Sequence, residues 1–565
     1  MNSDISSKII ENLTKSAKIV GIKDPKIILE HPDDISHGDF ATNVALIHSK
    51  TLKMNPKTLA EKILSEFNKD LPGGVDSTEV AGPGFINFKI SRNYFIDGIK
   101  NIIAEGEKYG HQKIGKGKTV LVEYSSPNIA KPFTIGHLRS TIIGDSIANI
   151  LHTLGYTVIR DNHLGDWGTQ FGKLMVAILT WGNVEEIRKS EDPMRLLVDL
   201  YVKFHDEAEK NPELETQARE WFRKLEQDNT EAKSLWTLCI DASLVAFDKI
   251  YKELGVSNFD TMRGESMAIP LVPDVLAELK DKNLMKESEG AQVVFFEGEK
   301  YPPLIIQKTD GTSIYATRDL ATDVWRKKEY GKHLIIINEV GADQILYFRQ
   351  LFEIEKMLGW FEDHERVHVA HGLYRFKEGK MSTRKGDVIW LADIIDEAKK
   401  RAAVINPDSA HDVALAAIKF NDLKRDSAQD IVFDWEEIMN TGGDSGPYLQ
   451  YACVRAKSAL AKAEKLEIKC VLNINIETSL ETENIEKLLI RFPEIIERSG
   501  AEYKPNILAT YLIDLASKFN NFYAHNVIAD KENPQAPHNV ALTEAFATVM
   551  TNGLKLLGIK VPERM

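Results

Sequence analysis

The stretch Thr134-Ile135-Gly136-His137 is the part of this chain best suited to chemistry. A helix that starts there offers unpaired backbone N–H groups and a partial positive charge to an anion. Gly136 puts no side chain between that backbone and an approaching phosphate. His137 can donate to a phosphate oxygen or a sugar hydroxyl without a metal. A Gly-His pair alone is a weak signal, because a surface loop histidine looks the same. Its meaning depends on the elements that hold it.

Those elements are legible. Val120, Leu121 and Val122 form a short apolar run, as a strand covered on both faces would. Pro127 and Pro132 stop that strand and delay the helix. From Gly136 the spacing of Leu138, Ile142, Ile147, Ile150, Leu151 and Leu154 gives one apolar helix face, closed by Gly155. Tyr156 to Ile159 begins a second strand. This is a βαβ unit whose turn lies beyond the carboxyl end of a strand, where open α/β sheets bind ligands.

The residues around the turn carry a family resemblance. Ser125 to Thr141 (SSPNIAKPFTIGHLRST), followed by His163 to Gly172 (HLGDWGTQFG), resembles the arginyl-tRNA synthetases, class I enzymes with a "HIGH" turn. Lys380 to Gly386 (KMSTRKG) resembles the mobile "KMSKS" loop of that class. Asp310 to Asp319, Gly38 to Asn43, Gly446 to Tyr451 and the closing Val561 to Met565 match in the expected order, so the resemblance spans essentially the whole chain. One position departs: Thr134 stands where the turn usually has its first histidine. Threonine keeps a hydroxyl but is shorter and uncharged. The α-phosphate contact implied for that histidine therefore does not carry over directly.

The resemblance implies a two-step reaction. The arginine carboxylate attacks the α-phosphate of ATP, and the 3'-terminal ribose of tRNA(Arg) then attacks the adenylate. Neither step needs a protein nucleophile, so positioning and charge stabilisation dominate. Gly136 and His137 are expected to hold ATP, with Thr134 beside them. Lys380, Met381, Ser382 and Arg384 complete the nucleotide contacts, and Lys380 and Lys385 face the departing pyrophosphate. Magnesium is expected to arrive with ATP, held by its phosphates. For arginine, a planar five-donor cation, carboxylates are the natural partners. The family points to Asp319 with Tyr315 one turn before it and Glu265 as a second acid. Glu123, Asn128 and Gln344 are left for the amino-acid head group, although Glu123 and Glu265 could exchange roles. His163 reads equally well as a substrate contact or a structural histidine. In the C-terminal region Tyr448, Tyr451 and Arg455 are candidates for tRNA contact, with helix packing expected for at least one tyrosine.

The rest of the chain sets limits. Its 565 residues are too many for one core. The composition, 43% hydrophobic and 27% charged, is that of an ordinary soluble globular protein. No apolar run approaches the ~18 residues of a membrane span, and Asp4 and Glu11 argue against a transit peptide in the first helix. A monomeric cytoplasmic protein with no membrane partner is expected. Cys239, Cys453 and Cys470 form no Cys-x-x-Cys pair, so neither zinc nor a disulfide framework is expected, and all three read as core or half-buried thiols. The net charge of −13 still permits RNA binding, which depends on local fields. Basic residues gather at Arg375 to Lys385 and between Arg455 and Lys469.

The expected architecture is α/β. Residues 1–110 form an α+β N-terminal domain that contacts tRNA in the resembling family. Residues 117–405 form a Rossmann-type parallel-sheet catalytic domain with a helical insertion at about 178–265. The sheet is expected to resume at Val293–Phe296, Leu304–Ile306 and Leu334–Ile337. Residues 406–565 form an all-α anticodon-binding domain. Two other readings remain. A catalytically impaired tRNA-binding regulatory relative would explain Thr134, and a small-molecule nucleotidyltransferase would explain the Gly-His turn but not the long helical end.

Overall fold

The computed structural model describes residues 5–32, 37–309, 311, 313–331, 333–376, 389–440, 442–473 and 479–565. The chain divides into two compact units: residues 1–109, 456–492 and 517–549, and residues 110–455, 493–516 and 550–565.

In the first unit, Ile5, Ile9, Leu13 and Ala17 recur every four residues and form the buried stripe of helix Ile5–Ile19. Asn55 caps helix Pro56–Phe67 by accepting from the N–H groups of Lys57 and Thr58, and Pro56 sits at the first helical position. Both helices share a core with a three-stranded antiparallel sheet in which Phe85–Ile90 lies between Phe40–Thr42 and Val75–Ala81. The Gly38-Asp39 pair has a structural use here. One Asp39 oxygen accepts from Ile90 N at 2.7 Å, and the other lies 2.8 Å from Lys487 Nζ. Glu486, also buried, meets Arg92 at 3.3 Å and His538 at 3.1 Å.

The second unit holds a five-stranded, all-parallel sheet. Its strands are β1 (Thr119–Glu123), β2 (Thr157–Leu164), β3 (Thr261–Gly264), β4 (Leu334–Gly341) and β5 (Arg366–His371). They lie in the order β5-β4-β1-β2-β3, so the winding reverses between β1 and β4. The crevice beyond the carboxyl ends of those two strands is where a doubly wound sheet binds its ligands. Three helices frame it: α1 (Ile135–Thr153), α2 (Tyr315–Tyr330) and α3 (Ile345–Met357). Helix α1 starts and stops where its apolar spacing predicts.

Three expectations need correction. Ala291–Val294 and Leu304–Gln307 do not continue the parallel sheet; with Met285–Ser288 they form a separate antiparallel one. The short links between them allow hairpins, whereas a parallel return needs a crossover of a dozen or more residues. The insertion is helical from Gln170 to Leu254, but Thr261–Gly264 is an edge strand of the main sheet. Cys470 is exposed, and its thiol donates to Glu544 Oε2 at 2.7 Å; only Cys239 and Cys453 are buried. Beyond residue 405 the regular elements of the described residues are helices apart from Ile431–Phe433, which pairs with Tyr374–Phe376. No helix of the described residues is long and apolar enough to cross a membrane.

Candidate active site

Thr134 is the N-cap of α1, with extended backbone at φ −99° and ψ 174°. Its N–H donates to His137 Nδ1 at 3.0 Å, and its hydroxyl lies 3.0 Å from the same nitrogen. An Nδ1 that accepts leaves the imidazole proton on Nε2. Burial, then the charges of His371 and Lys131, push the His137 pKa down to about 4. The ring is therefore a neutral donor at physiological pH. Gly136 is exposed, and a Cβ there would meet only Thr134 Oγ1, at 3.5 Å. Among the described residues no protein packing demands glycine, which leaves this helix tip open to a ligand.

Arg139 anchors the other side of α1. Fully buried, it donates to the carbonyls of Gln429 and Ser427 and pairs with Asp422 at 3.1 Å, while the Tyr374 hydroxyl donates to Asp422 at 3.0 Å. This fixes Tyr374–Phe376, the strand that precedes the KMSTRKG segment, beside the turn that leads into its partner Ile431–Phe433. After that segment, Trp390 bridges to Thr134, and Leu391 N donates to Phe133 O at 2.9 Å. Lys380, Met381, Ser382, Arg384 and Lys385 themselves lie outside the described residues.

At the reversal between β1 and β4 lies a cavity of about 180 Å³. Five residues expected for arginine line it: Glu123, Asn128, Glu265, Asp319 and Gln344. Each comes from a different element. Glu123 ends β1, Asn128 follows it, Glu265 follows β3, Asp319 lies in the first turns of α2 and Gln344 immediately precedes α3. Asp166 sets Glu265 in place by accepting from Ser266 N at 2.9 Å and Ser266 Oγ at 2.5 Å. Gly264 is required there, since a Cβ would sit 2.0 Å from Asp166 Cγ.

The acids differ in what already holds them. Glu123 Oε2 accepts from Arg326 at 2.6 Å and from Asn338 at 2.8 Å. Arg326 also pairs with Asp161 and, at 2.9 Å, with Asp323; Arg366 reaches Asp323 at 2.8 Å and Glu355 at 2.6 Å. Burial pushes Glu355 up strongly, whereas Arg366 and Arg326 outweigh burial at Asp323 and hold it down. The cavity floor is thus an ion network in which two guanidinium groups are shared among four acids, two of which, Asp161 and Glu355, burial pushes toward the protonated form. Glu265 Oε2 accepts from Arg318 Nε at 2.7 Å. Asp319 pairs with no cation among the described residues; its Oδ2 accepts from the Tyr347 hydroxyl. Burial raises its pKa to about 7, against the opposing pull of His163 and Tyr347. A half-buried carboxyl that ionises reluctantly and faces a cavity calls for an incoming cation.

Tyr315 does not line the cavity. It is 51% exposed and meets Tyr347 edge-on, with ring centroids 4.9 Å apart. His163 does line it, and its buried Nε2 has no hydrogen-bond partner among the described residues. That unsatisfied atom favours a ligand contact over a purely structural histidine. Sequence reasoning missed Tyr347, Asn338, Arg326 and Arg366. Isolated polar residues inside strands and helices gave no cue to their burial. In the C-terminal helix Gly446–Lys465, Tyr448 is half-buried, while Tyr451 is 47% exposed with the Arg455 guanidinium 4.6 Å from its ring centre. No cluster of three or more His, Cys, Asp or Glu among the described residues is arranged to hold a metal ion.

Comparison with known proteins places the fold in a family. The family model "tRNA synthetases class I (R), catalytic domain" matches residues 98–435. "Arginyl tRNA synthetase N terminal domain" matches residues 3–90, and "DALR anticodon binding domain" matches 449–565. The chain belongs to the arginyl-tRNA synthetase family. Among its relatives, the arginine–tRNA ligase of Lactobacillus acidophilus is 43% identical over 95% of this chain and 96% of its own. That of Halothermothrix orenii is 37% identical over the full length of both. The solved arginyl-tRNA synthetase of Plasmodium falciparum superposes with a TM-score of 0.82 at 25% identity, covering 99% of each chain. Family membership accounts for the helical insertion, the α+β unit and the helical end together.

Proposed function

We propose that this chain is an arginine–tRNA ligase: it activates L-arginine with ATP and transfers it to the 3'-terminal ribose of tRNA(Arg), releasing AMP and pyrophosphate. One observation carries the arginine assignment. In a cavity whose other acids are matched by protein guanidinium groups or stand beside them, Asp319 alone has no cationic partner among the described residues. A guanidinium seated against it satisfies the carboxylate, and Asn128, Gln344 and Glu123 lie on the same wall for the amino-acid head group. Tyr315 stands outside the cavity as a candidate for its mouth.

ATP is assigned to the exposed tip of α1, where free N–H groups, Gly136 and the Nε2–H of His137 meet phosphate or ribose oxygens. Thr134 acts through His137, whose Nδ1 accepts from the Thr134 backbone N–H and so leaves the ring proton on Nε2. Lys380 and Lys385 are assigned to the leaving pyrophosphate and Met381, Ser382 and Arg384 to the nucleotide. Mg2+ enters with ATP, whose phosphates supply its oxygens. Tyr448 and Arg455 are assigned to tRNA contact, joined by the stacked, exposed Tyr451.

A buried site built to pair with a cationic fork rejects lysine and citrulline by a factor on the order of 10³ or more. The test is arginine-dependent pyrophosphate exchange, measured with and without tRNA, followed by aminoacylation. Exchange that appears on adding tRNA supports the reading. No exchange in either condition would return the chain to the regulatory class, and exchange with another amino acid removes the arginine assignment.

A further inference from the structure

Tyr347 lies one turn into the frame of α3, three residues after Gln344, yet it does not line the cavity. Its ring is fixed edge-on against Tyr315 at 4.9 Å and 63°, and against Phe348 at 5.4 Å and 67°. Its hydroxyl donates to Asp319 Oδ2. Burial, reinforced by the charge of Asp319, keeps the phenol protonated far into the alkaline range, so the hydroxyl is always the donor. A donor locked to one oxygen does two things to a carboxylate. It turns the plane of the group, leaving the second oxygen for a ligand, and it favours the ionised form that a guanidinium needs.

We propose that Tyr347 is a positioning residue for arginine specificity: its hydroxyl holds one oxygen of Asp319 so that the other meets the guanidinium, and its ring links that carboxylate to exposed Tyr315. The proposal rests on the reading of the cavity as the arginine site. Asp319 is faced by His163 from β2, Glu123 from β1, Glu265 after β3 and Tyr347 from α3. Of these, Tyr347 alone supplies a hydrogen bond to the carboxylate among the described residues.

The experiment compares wild type with Tyr347→Phe, which keeps the ring and deletes only the donor. Loss of a hydrogen bond to a charged group raises KM for arginine roughly 10- to 100-fold at pH 8. The pH below which that KM climbs moves upward by about one unit, because the carboxylate has lost the donor that favours its charge. KM for ATP stays within about twofold, since the nucleotide site at α1 is untouched. A purely structural tyrosine would change stability but not the position of the pH limb. A limb that stays in place overturns the proposal, whether it belongs to His163 or to Asp319. Calorimetry on both proteins in two buffers of different ionisation enthalpy supplies a second readout: near pH 7 arginine binding releases more protons from Tyr347→Phe than from the wild type, and equal release from the two also overturns it. Wild type that fails to bind or use arginine at any pH removes the function reading itself, a result distinct from either.

Discussion

Replacing Asp319 with asparagine should move ligand binding and stability in opposite directions. The substitution keeps shape and removes the one cavity charge without a cationic partner among the described residues. Truncating one side of a desolvated charged pair costs about 2–5 kcal/mol, and at about 1.4 kcal/mol per factor of ten KM for arginine rises between roughly 30-fold and roughly 4,000-fold. The stability sign follows from titration. Burial raises this carboxyl from 3.8 to about 7. Between those values the native chain keeps a proton that the unfolded chain has lost, so the free enzyme loses stability as pH rises through that window. At about 1.4 kcal/mol per pH unit the full displacement corresponds to about 4 kcal/mol. Asp319 is only half-buried and opens on a cavity that water can enter, so screening reduces the gain on neutralising it to ~1–2 kcal/mol. The assays are steady-state aminoacylation with varied arginine at pH 8 and thermal melting without ligands. An arginine KM within threefold of wild type, or a lower melting temperature with binding retained, refutes the reasoning.

Three further outcomes follow from the same geometry. In the wild type, KM for arginine should be flat above about pH 8 and climb about tenfold per unit below pH 6, as Asp319 takes up its proton; His137, held neutral down to about pH 4, does not contribute, and a flat profile from pH 5.5 to 8.5 contradicts the assignment. Arg326→Met strands Glu123 and Asp161, leaving Asp323 to Arg366, and should destabilise by about 3–5 kcal/mol. Lys356→Met breaks only an exposed pair with Asp363 and leaves the melting curve in place; equal effects of the two would be inconsistent with a floor held by shared guanidinium groups. Gly136→Ala should leave melting unchanged, because its Cβ meets only Thr134 Oγ1, yet raise KM for ATP at least about tenfold. A stability loss with normal ATP use inverts that expectation.

Much of this fold is legible in the residues because apolar spacing is a local property. Val120–Val122, the α1 stripe and Leu334–Ile337 read directly as buried strand and helix. Strand partnership is not local: Val293 and Leu304 look like members of the main sheet, and only link length reveals the hairpin. Thr261–Gly264 hides because a four-residue edge strand with an arginine inside it has no period to detect. The cavity residues are legible only through motif resemblance; alone, Asp319 and Glu265 are two of 84 acids. Nothing local marks Arg326 or Arg366 as buried, because much of their cost is offset by partners distant in sequence, Glu123 lying 203 residues from Arg326 and Asp323 43 residues from Arg366. Their presence alters the picture from several acids grasping a guanidinium to one acid left open above a floor of acids that share two protein guanidinium groups.

The central claim is that arginine docks its side chain on Asp319 at the reversal between β1 and β4. An experimental structure with arginine bound tests it most directly. The guanidinium is expected within hydrogen-bond distance of Asp319, in the cavity walled by Glu123, Asn128 and Gln344. A bound arginine whose guanidinium lies elsewhere, with Asp319 still paired only to Tyr347, would contradict it.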